Sequence, residues 1–248
     1  MRLSELQQAS KEDSINKLYY VARRGCQKIR QLLLVFKNSV EVEKLELIII
    51  RHAPTVNNIK NIFMGVDDID LTTEGLEKAS LLKPLLAERP IAICYTSPLK
   101  RAKGTAEAIF PKSMISITDK LIERDLGDWA GLSKSDVKTQ YPEAFNDEGL
   151  LDFFHTPPKG EGAKIMIDRL VDFLVDLKKH DENTLLAIVT HNGVYRVLKS
   201  LITGMPLKEI FRQFENYLEP KSFNISKERI DHILKYPYET AENNISLL

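Results

Sequence analysis

The chain reads as a three-layer α/β/α protein with a largely parallel central sheet, preceded by an N-terminal helical extension. Three observations predict this. From residue 45 onward, short β-prone apolar runs alternate with stretches of helical periodicity. Strands separated by helices imply parallel pairing, with helices covering both faces of the sheet. Residues 1–44 lack that alternation and carry helical spacing alone. The length, 248 residues, suits one α/β domain plus an extension.

The extension comes first. Ile15, Leu18, Tyr19, Ala22, Cys26, Ile29, Leu33 and Phe36 recur at helical spacing, and Lys17, Arg23, Arg24, Lys28, Arg30 and Lys37 lie between them. That is a basic amphipathic helix. The preferred reading packs its apolar face on the protein's own catalytic domain; the alternative is peripheral membrane or protein contact through residues 15–37. The catalytic domain is read as 45–248. Its first strand spans 46–51, followed by a loop from Asn57 to Asp70. A helix over 73–88 starts on Thr72-Thr73-Glu74-Gly75. Residues 91–96 form a strand. A helix over 98–110 has Ser97 as N-cap and Pro98 at its first position. Residues 115–118 form a short strand. An irregular cap follows over 120–160, holding a helix over 133–141 and a turn at Pro157-Pro158-Lys159-Gly160. Then come a helix over 163–180, a strand over 184–190, and a helix over 193–203 stopped by Gly204 and Pro206. The tail, 207–248, alternates short helical pieces with loops.

Composition narrows the class. Hydrophobic content of 43% and charged content of 28% describe an ordinary soluble domain. Zero formal net charge gives no argument for a nucleic-acid partner, and none is expected. Cys26 and Cys94 are too few for a disulfide framework and show no metal-ligand spacing. No membrane span or leader pattern is visible, so a cytoplasmic location is expected. The oligomeric state stays open, a dimer included.

The residues that carry chemistry sit at element ends. Arg51-His52 leaves the first strand where open α/β sheets bind ligands, and Asn58 follows. Arg101 falls in the first turn of a helix, where free N–H groups favour anions. His191 ends another strand, and Asn192 follows it. Each alone has a plainer reading: a structural histidine, a solvated arginine, a surface acid. Together, two histidines, two arginines, an amide and a carboxylate suit phosphoryl transfer. His52 can attack phosphorus if one ring nitrogen is unprotonated and the other is held. Arg51 and Arg101 suit bidentate phosphate contacts. Asn58 and His191 can donate to the same oxygens. Glu123 is the candidate acid for the leaving oxygen and base for the attacking water, for which its pKa should be raised by burial or nearby negative charge.

These segments resemble the histidine phosphatase superfamily, the family of cofactor-dependent phosphoglycerate mutases and their phosphatase relatives. The matching runs are Arg51-His52 with Asn58, Met64-Gly65 with Asp70 to Gly75, Ser97 to Ala102 with Thr105-Ala106-Glu107, Leu121 to Arg124, Gly127 to Gly131, Gly160-Glu161-Gly162, and Thr190-His191. The resemblance implies a phosphoglycerate mutase-like fold, His52 as the phosphorylated residue, Glu123 as the acid, and Arg51, Asn58, Arg101 and His191 as the phosphate pocket. Asn192 is added to that pocket, with Met64, Gly65 and Arg124 as further substrate contacts. It also implies a mechanism with no metal and no cofactor. The chain departs from the family's usual residues at Ala53, Pro54, Gly162 and Asn192.

The cap region bears on substrate. Residues 125–155 hold Asp125, Asp128, Asp136, Glu143, Asp147, Glu148 and Asp152 against Lys134 and Lys138, without the paired arginines of the mutases. Such a charge disfavours a substrate with several phosphates. Trp129, Phe145, Phe153 and Phe154 offer either a stacking surface or core. The expected activity is therefore a phosphomonoesterase that acts through phosphohistidine on a sugar phosphate or an α-ribazole-phosphate-like metabolite. The alternatives are a mutase-type phosphotransferase, a phosphoprotein phosphatase and an inactive phosphate-binding scaffold.

Overall fold

The computed structural model describes residues 44–239. The basic stretch 15–37 and the end of the tail lie outside the described residues. Strand β1, Lys44–Arg51, leads into a short helix, α1, Val56–Ile59. Helices α2, Thr73–Ser80, and α3, Leu82–Ala87, precede β2, Ile91–Thr96. Helix α4, Lys100–Ile109, and β3, Ile115–Ile117, follow. The cap contains α5, Lys134–Gln140. Then come α6, Ala163–Asp176, β4, Leu185–Thr190, and α7, Asn192–Thr203. The chain continues through α8, Leu207–Ile210, β5, Lys221–Ser226, and α9, Lys227–Lys235.

The sheet order is β3-β2-β4-β1-β5. The first four strands are parallel, and β5 runs antiparallel to β1 at the edge. Alternation along the strands divides the core. Leu47, Ile49, Leu186 and Ile188 pack with Leu170, Leu174, Val197, Leu201 and Ile230 on one face. Ile48, Ile50, Ala187 and Val189 pack with Ala102, Ala106 and Ile109 on the other. Both faces of β1 and β4 are thus covered, which is why these strands read as unbroken apolar runs. The cap has a small core of its own, where Trp129, Val137 and Ala144 are enclosed by Phe63, Leu126, Leu132, Tyr141, Phe145 and Leu151. Trp129 is therefore core and not a stacking surface, and Phe154 belongs to the main core.

Three elements differ from the sequence reading. The helix expected over 73–88 breaks at Leu81, because Pro84 has no N–H for the Ser80 carbonyl and its ring crowds that carbonyl. Helix α4 starts at Lys100, two residues late. The Ser97 hydroxyl meets His191 Nε2 and still accepts from Leu99 N–H at 3.3 Å, while the Lys100 N–H donates to Asp68 Oδ1 at 2.7 Å. The tail contains a strand, β5, where helical pieces and loops were expected. Its Lys-Ser-Phe-Asn-Ile-Ser sequence alternates with period two, and β1 offers it a free edge.

Candidate active site

The carboxyl ends of β1 and β4 are adjacent, with Arg51 in register with Thr190. One further ladder bond, His52 N–H to Thr190 O at 2.8 Å, carries the pairing past the strand end. The rings of His52 and His191 then lie 5.2 Å apart, centroid to centroid. His52 is buried, and its Nδ1–H donates to Ala53 O at 2.6 Å. That bond fixes the tautomer and leaves Nε2 with a free lone pair. The Ala53 N–H in turn donates to Thr105 Oγ1 at 2.9 Å, which seats the segment on α4. Burial, followed by the nearby Arg101 guanidinium, holds the His52 pKa well below the usual histidine value.

Arg101 is enclosed in the first turn of α4. Its Nη1 donates to Asp67 O at 2.5 Å, its Nη2 to Gly65 O at 2.6 Å and its Nε to His191 Nδ1 at 3.2 Å. One hydrogen remains on each Nη. Both nitrogens of His191 are engaged, since Nε2 meets Ser97 Oγ at 2.8 Å. The sequence reading gave His191 a direct donor role; the geometry makes it an orienting group for Arg101. Burial is the main cause of its lowered pKa, with Arg101 and His52 next. Arg51 donates from Nη1 to Glu215 O at 2.7 Å, while its buried Nε has no partner among the described residues. Asn58 accepts from the Thr55 N–H and O–H through Oδ1, both at 3.0 Å, which leaves its NH2 to donate elsewhere. Asn192 opens α7, with a buried Oδ1 that has no partner among the described residues.

Glu123 is held by two backbone donors. Arg124 N–H reaches Oε1 at 2.8 Å, and Gly193 N–H, in the first turn of α7, reaches Oε2 at 3.1 Å. A Cβ at position 193 would lie 2.6 Å from Oε1, so glycine is needed for this approach. Thr190 Oγ1 donates to Leu121 O at 3.0 Å and ties the Glu123 segment to the end of β4. Arg124, expected as a substrate contact, also lines the cleft and has a bracing task besides. Its guanidinium donates to the carbonyls of Glu161, Phe153 and His155, at 2.8, 2.8 and 3.1 Å, and braces the base of the cap. Burial pushes its pKa down to about 10.

Arg51, His52, Asn58, Met64, Gly65, Arg101, Glu123 and Asn192 share the wall of one cleft of about 830 Å³. Across residues 47–226 the sequence matches the model of the histidine phosphatase superfamily (branch 1). The chain belongs to that superfamily. It is similar to a metal-independent phosphoserine phosphatase of Arabidopsis thaliana, with 34% identity over 66% of this chain and 71% of the relative. A 2,3-bisphosphoglycerate-dependent phosphoglycerate mutase of Mesorhizobium japonicum is 30% identical over 67% of this chain and 85% of its own. Among solved structures, that of a putative α-ribazole-5'-P phosphatase from Escherichia coli has a TM-score of 0.64 and 26% identity. It covers 74% of this chain and 92% of its own. This histidine phosphatase is a phosphoric monoester hydrolase.

The outer cleft of the phosphatase corrects the charge expected of its cap. Glu123 is the single acid in the cleft wall among the described residues. Five of the seven cap acids are engaged elsewhere. Asp125 accepts from Gly127 N–H, Asp136 accepts from the N–H of Ser133, the N-cap of α5, Asp152 accepts from Phe154 N–H, and Asp128 pairs with Lys159. Glu148 makes a two-point bridge to Arg212, joining the cap to the segment after α8 along the cleft rim. The wall itself carries Lys60, Lys134 and Arg196, with Phe153, Phe211 and Tyr217 beside them. Sequence reasoning missed Arg196, Glu215 and Tyr217. Arg196 is legible only as one helical turn beyond Asn192. Glu215 and Tyr217 lie in a segment with no motif.

Buried neutral histidines make stability depend on pH with a definite sign. The folded pKa values of His52 and His191 lie below the unfolded value of about 6.5. Their contribution is therefore fully present above pH 6.5 and is lost as pH falls from there toward the folded pKa values. Urea unfolding at pH 7.5 and 5.5 should show His52→Gln losing less stability than wild type between the two conditions, because one buried neutral histidine is gone.

Proposed function

We propose that the protein hydrolyses a small phosphate monoester by two in-line transfers through a phosphohistidine at His52. The observation that carries this reading is the geometry at His52: Nδ1 is held by Ala53 O, and the neutral Nε2 is open to the cleft floor beside Arg51 and Arg101. Nε2 attacks phosphorus, the P–O ester bond breaks, and the leaving alcohol takes a proton from Glu123. Water then attacks the phosphohistidine, Glu123 takes its proton, and the P–N bond breaks to return neutral His52. Arg51, the open hydrogens of Arg101, and the Asn58 NH2 hold the phosphoryl oxygens as charge spreads in the transfer. Two guanidinium groups and an amide gathered on the floor do the work that a metal ion does in other phosphatases. A cytoplasmic location goes with this reading, supported by the low cysteine count.

The leaving alcohol is read as one that carries an anionic group, such as a carboxylate. Lys60, Lys134 and Arg196 support this, because they line the cleft and make no ion pair with any acid among the described residues. The relatives named phosphoserine phosphatases support it as well. An α-ribazole-phosphate-like ester is the second reading, favoured by the aromatic wall of Phe153, Phe211 and Tyr217.

His52→Ala should turn over no substrate while melting as wild type does. Intact-mass spectrometry after an acid-free quench should find added phosphate on wild type and none on the variant, and wild-type turnover should persist in a chelator. Glu123→Gln should lose about 10²–10⁴-fold in the transfer step with an alkyl phosphate, the range of general acid catalysis. It should lose far less with p-nitrophenyl phosphate, whose leaving group needs no proton; burst kinetics separate the two steps. Equal losses for both leaving groups would assign the proton to another carboxylate. O-phosphoserine should be preferred to O-phosphoethanolamine by at least about tenfold in kcat/KM, the value of one good charge contact. Preference for the amine would overturn the anionic-leaving-group reading.

A further inference from the structure

Arg51 has a second set of neighbours that phosphate chemistry does not call for. The Arg51 guanidinium lies over the face of the Tyr217 ring, with Cζ 3.6 Å from the ring centroid. The same ring meets His52 edge-on at 6.0 Å. Leu218 N–H donates to Arg51 O at 3.0 Å, and Glu215 O accepts from Arg51 Nη1 at 2.7 Å. A strap of four residues, 215–218, therefore grips Arg51 by side chain and backbone together. Leu218 adopts a φ of +55°, a left-handed conformation that a leucine keeps only when its surroundings impose it.

What imposes it is a buried ion cluster. The Glu215 carboxylate, 2% exposed, accepts from Lys199 Nζ at 2.7 Å and from Lys221 Nζ at 3.3 Å. Lys199 belongs to α7, the helix that also carries Asn192 and Gly193. Lys221 starts β5 and is in register with Ile49, two residues before Arg51. Lys199 Nζ also donates to Gln213 Oε1 at 2.6 Å, and Arg196 Nη2 donates to Gln213 O at 2.6 Å. The strap is thus fastened to α7 and β5, the two elements that flank Arg51. A buried carboxylate with two ammonium partners is costly to leave unpaired, so the cluster holds its geometry.

We propose that Tyr217, seated by the Lys199–Glu215–Lys221 cluster, is a positioning residue for Arg51. It fixes the guanidinium plane by stacking, so that Nη2 and Nε stay directed at the phosphoryl oxygens of the substrate. The inference rests on the reading in which Arg51 binds phosphate. An arginine on a strand end has several rotamers, and its desolvated charge seeks polar partners wherever they lie. A ring face supplies attraction without a competing acceptor, so the donors stay available to phosphate. A carboxylate in its place would neutralise the charge that the reaction uses.

The test is a double-mutant cycle read by orthovanadate inhibition and by kcat/KM on p-nitrophenyl phosphate, with thermal melts as the check on folding. Tyr217→Phe keeps the stack and should stay within about twofold of wild type, since the ring face is what acts. Tyr217→Leu, or Tyr217→Met if the first variant folds poorly, should weaken orthovanadate on the order of tenfold, the range of a desolvated cation–π contact. Glu215→Gln should weaken it in the same direction. In an Arg51→Lys background the Tyr217→Leu effect should shrink to within about twofold, because the partner it positions is gone. A full tenfold effect retained in that background overturns the proposal, as does a Tyr217→Phe variant as damaged as Tyr217→Leu. Unchanged orthovanadate affinity in Glu215→Gln overturns the seating role of the cluster. An Arg51→Lys single variant with unaltered orthovanadate affinity is a different failure: it removes Arg51 from the phosphate pocket and the inference with it.

Discussion

The backbone bond from His52 N–H to Thr190 O is the constraint on which the site depends. It extends the β1–β4 ladder by one step beyond the strands, so the two histidines inherit the spacing of a parallel sheet. Everything else is placed relative to that pair. Helix α7 begins directly after His191, which brings the Gly193 N–H to Glu123. The Thr190 hydroxyl reaches back to Leu121 O and draws the Glu123 segment onto the same strand end. A fixed backbone step and two short hydrogen-bonded links thus set the distance between His52 and Glu123.

The second constraint is electrostatic. Arg51, Arg101 and Arg124 are all desolvated, and each has a pKa lowered by burial first. Their side-chain partners are carbonyl oxygens, an imidazole nitrogen and a ring face, and none of the three forms an ion pair with a carboxylate among the described residues. Carbonyl dipoles replace the lost water without cancelling the charge. The positive potential on the cleft floor therefore survives, and the same potential helps keep both histidines neutral. Acid groups are kept off the floor apart from Glu123, and five of the seven cap acids are turned to backbone N–H groups and surface pairs.

How much of this was legible follows from where the information sits. The sheet was legible because β1 and β4 are apolar on both faces. Arg51, His52, Arg101 and Glu123 were legible because short motifs mark the ends of those elements. The partners of His191 were not, since Ser97 read equally well as a helix cap and only the tertiary fold decides which hydroxyl it meets. The charge of the cap misled because a count of acids says nothing of direction; Asp136 and Asp152 are engaged with backbone N–H groups and are absent from the cleft. Strand β5 was readable by its alternation, but its edge partner lies far away in sequence. Glu215 and Tyr217 act through contacts more than 160 residues from Arg51 along the chain, and no local pattern records such a contact.

The Glu148–Arg212 bridge joins two short segments, one from the cap and one from the stretch after α8, that meet along the cleft rim. Both partners are about half exposed, and neither belongs to the sheet. Such a pair is energetically slight and readily replaced. The rim of this fold is consequently its evolvable part: two surface segments can drift together, altering which alcohol is accepted, while the strand ends beneath them hold one reaction constant. Selection for a new substrate then acts on loops whose failure does not unfold the enzyme.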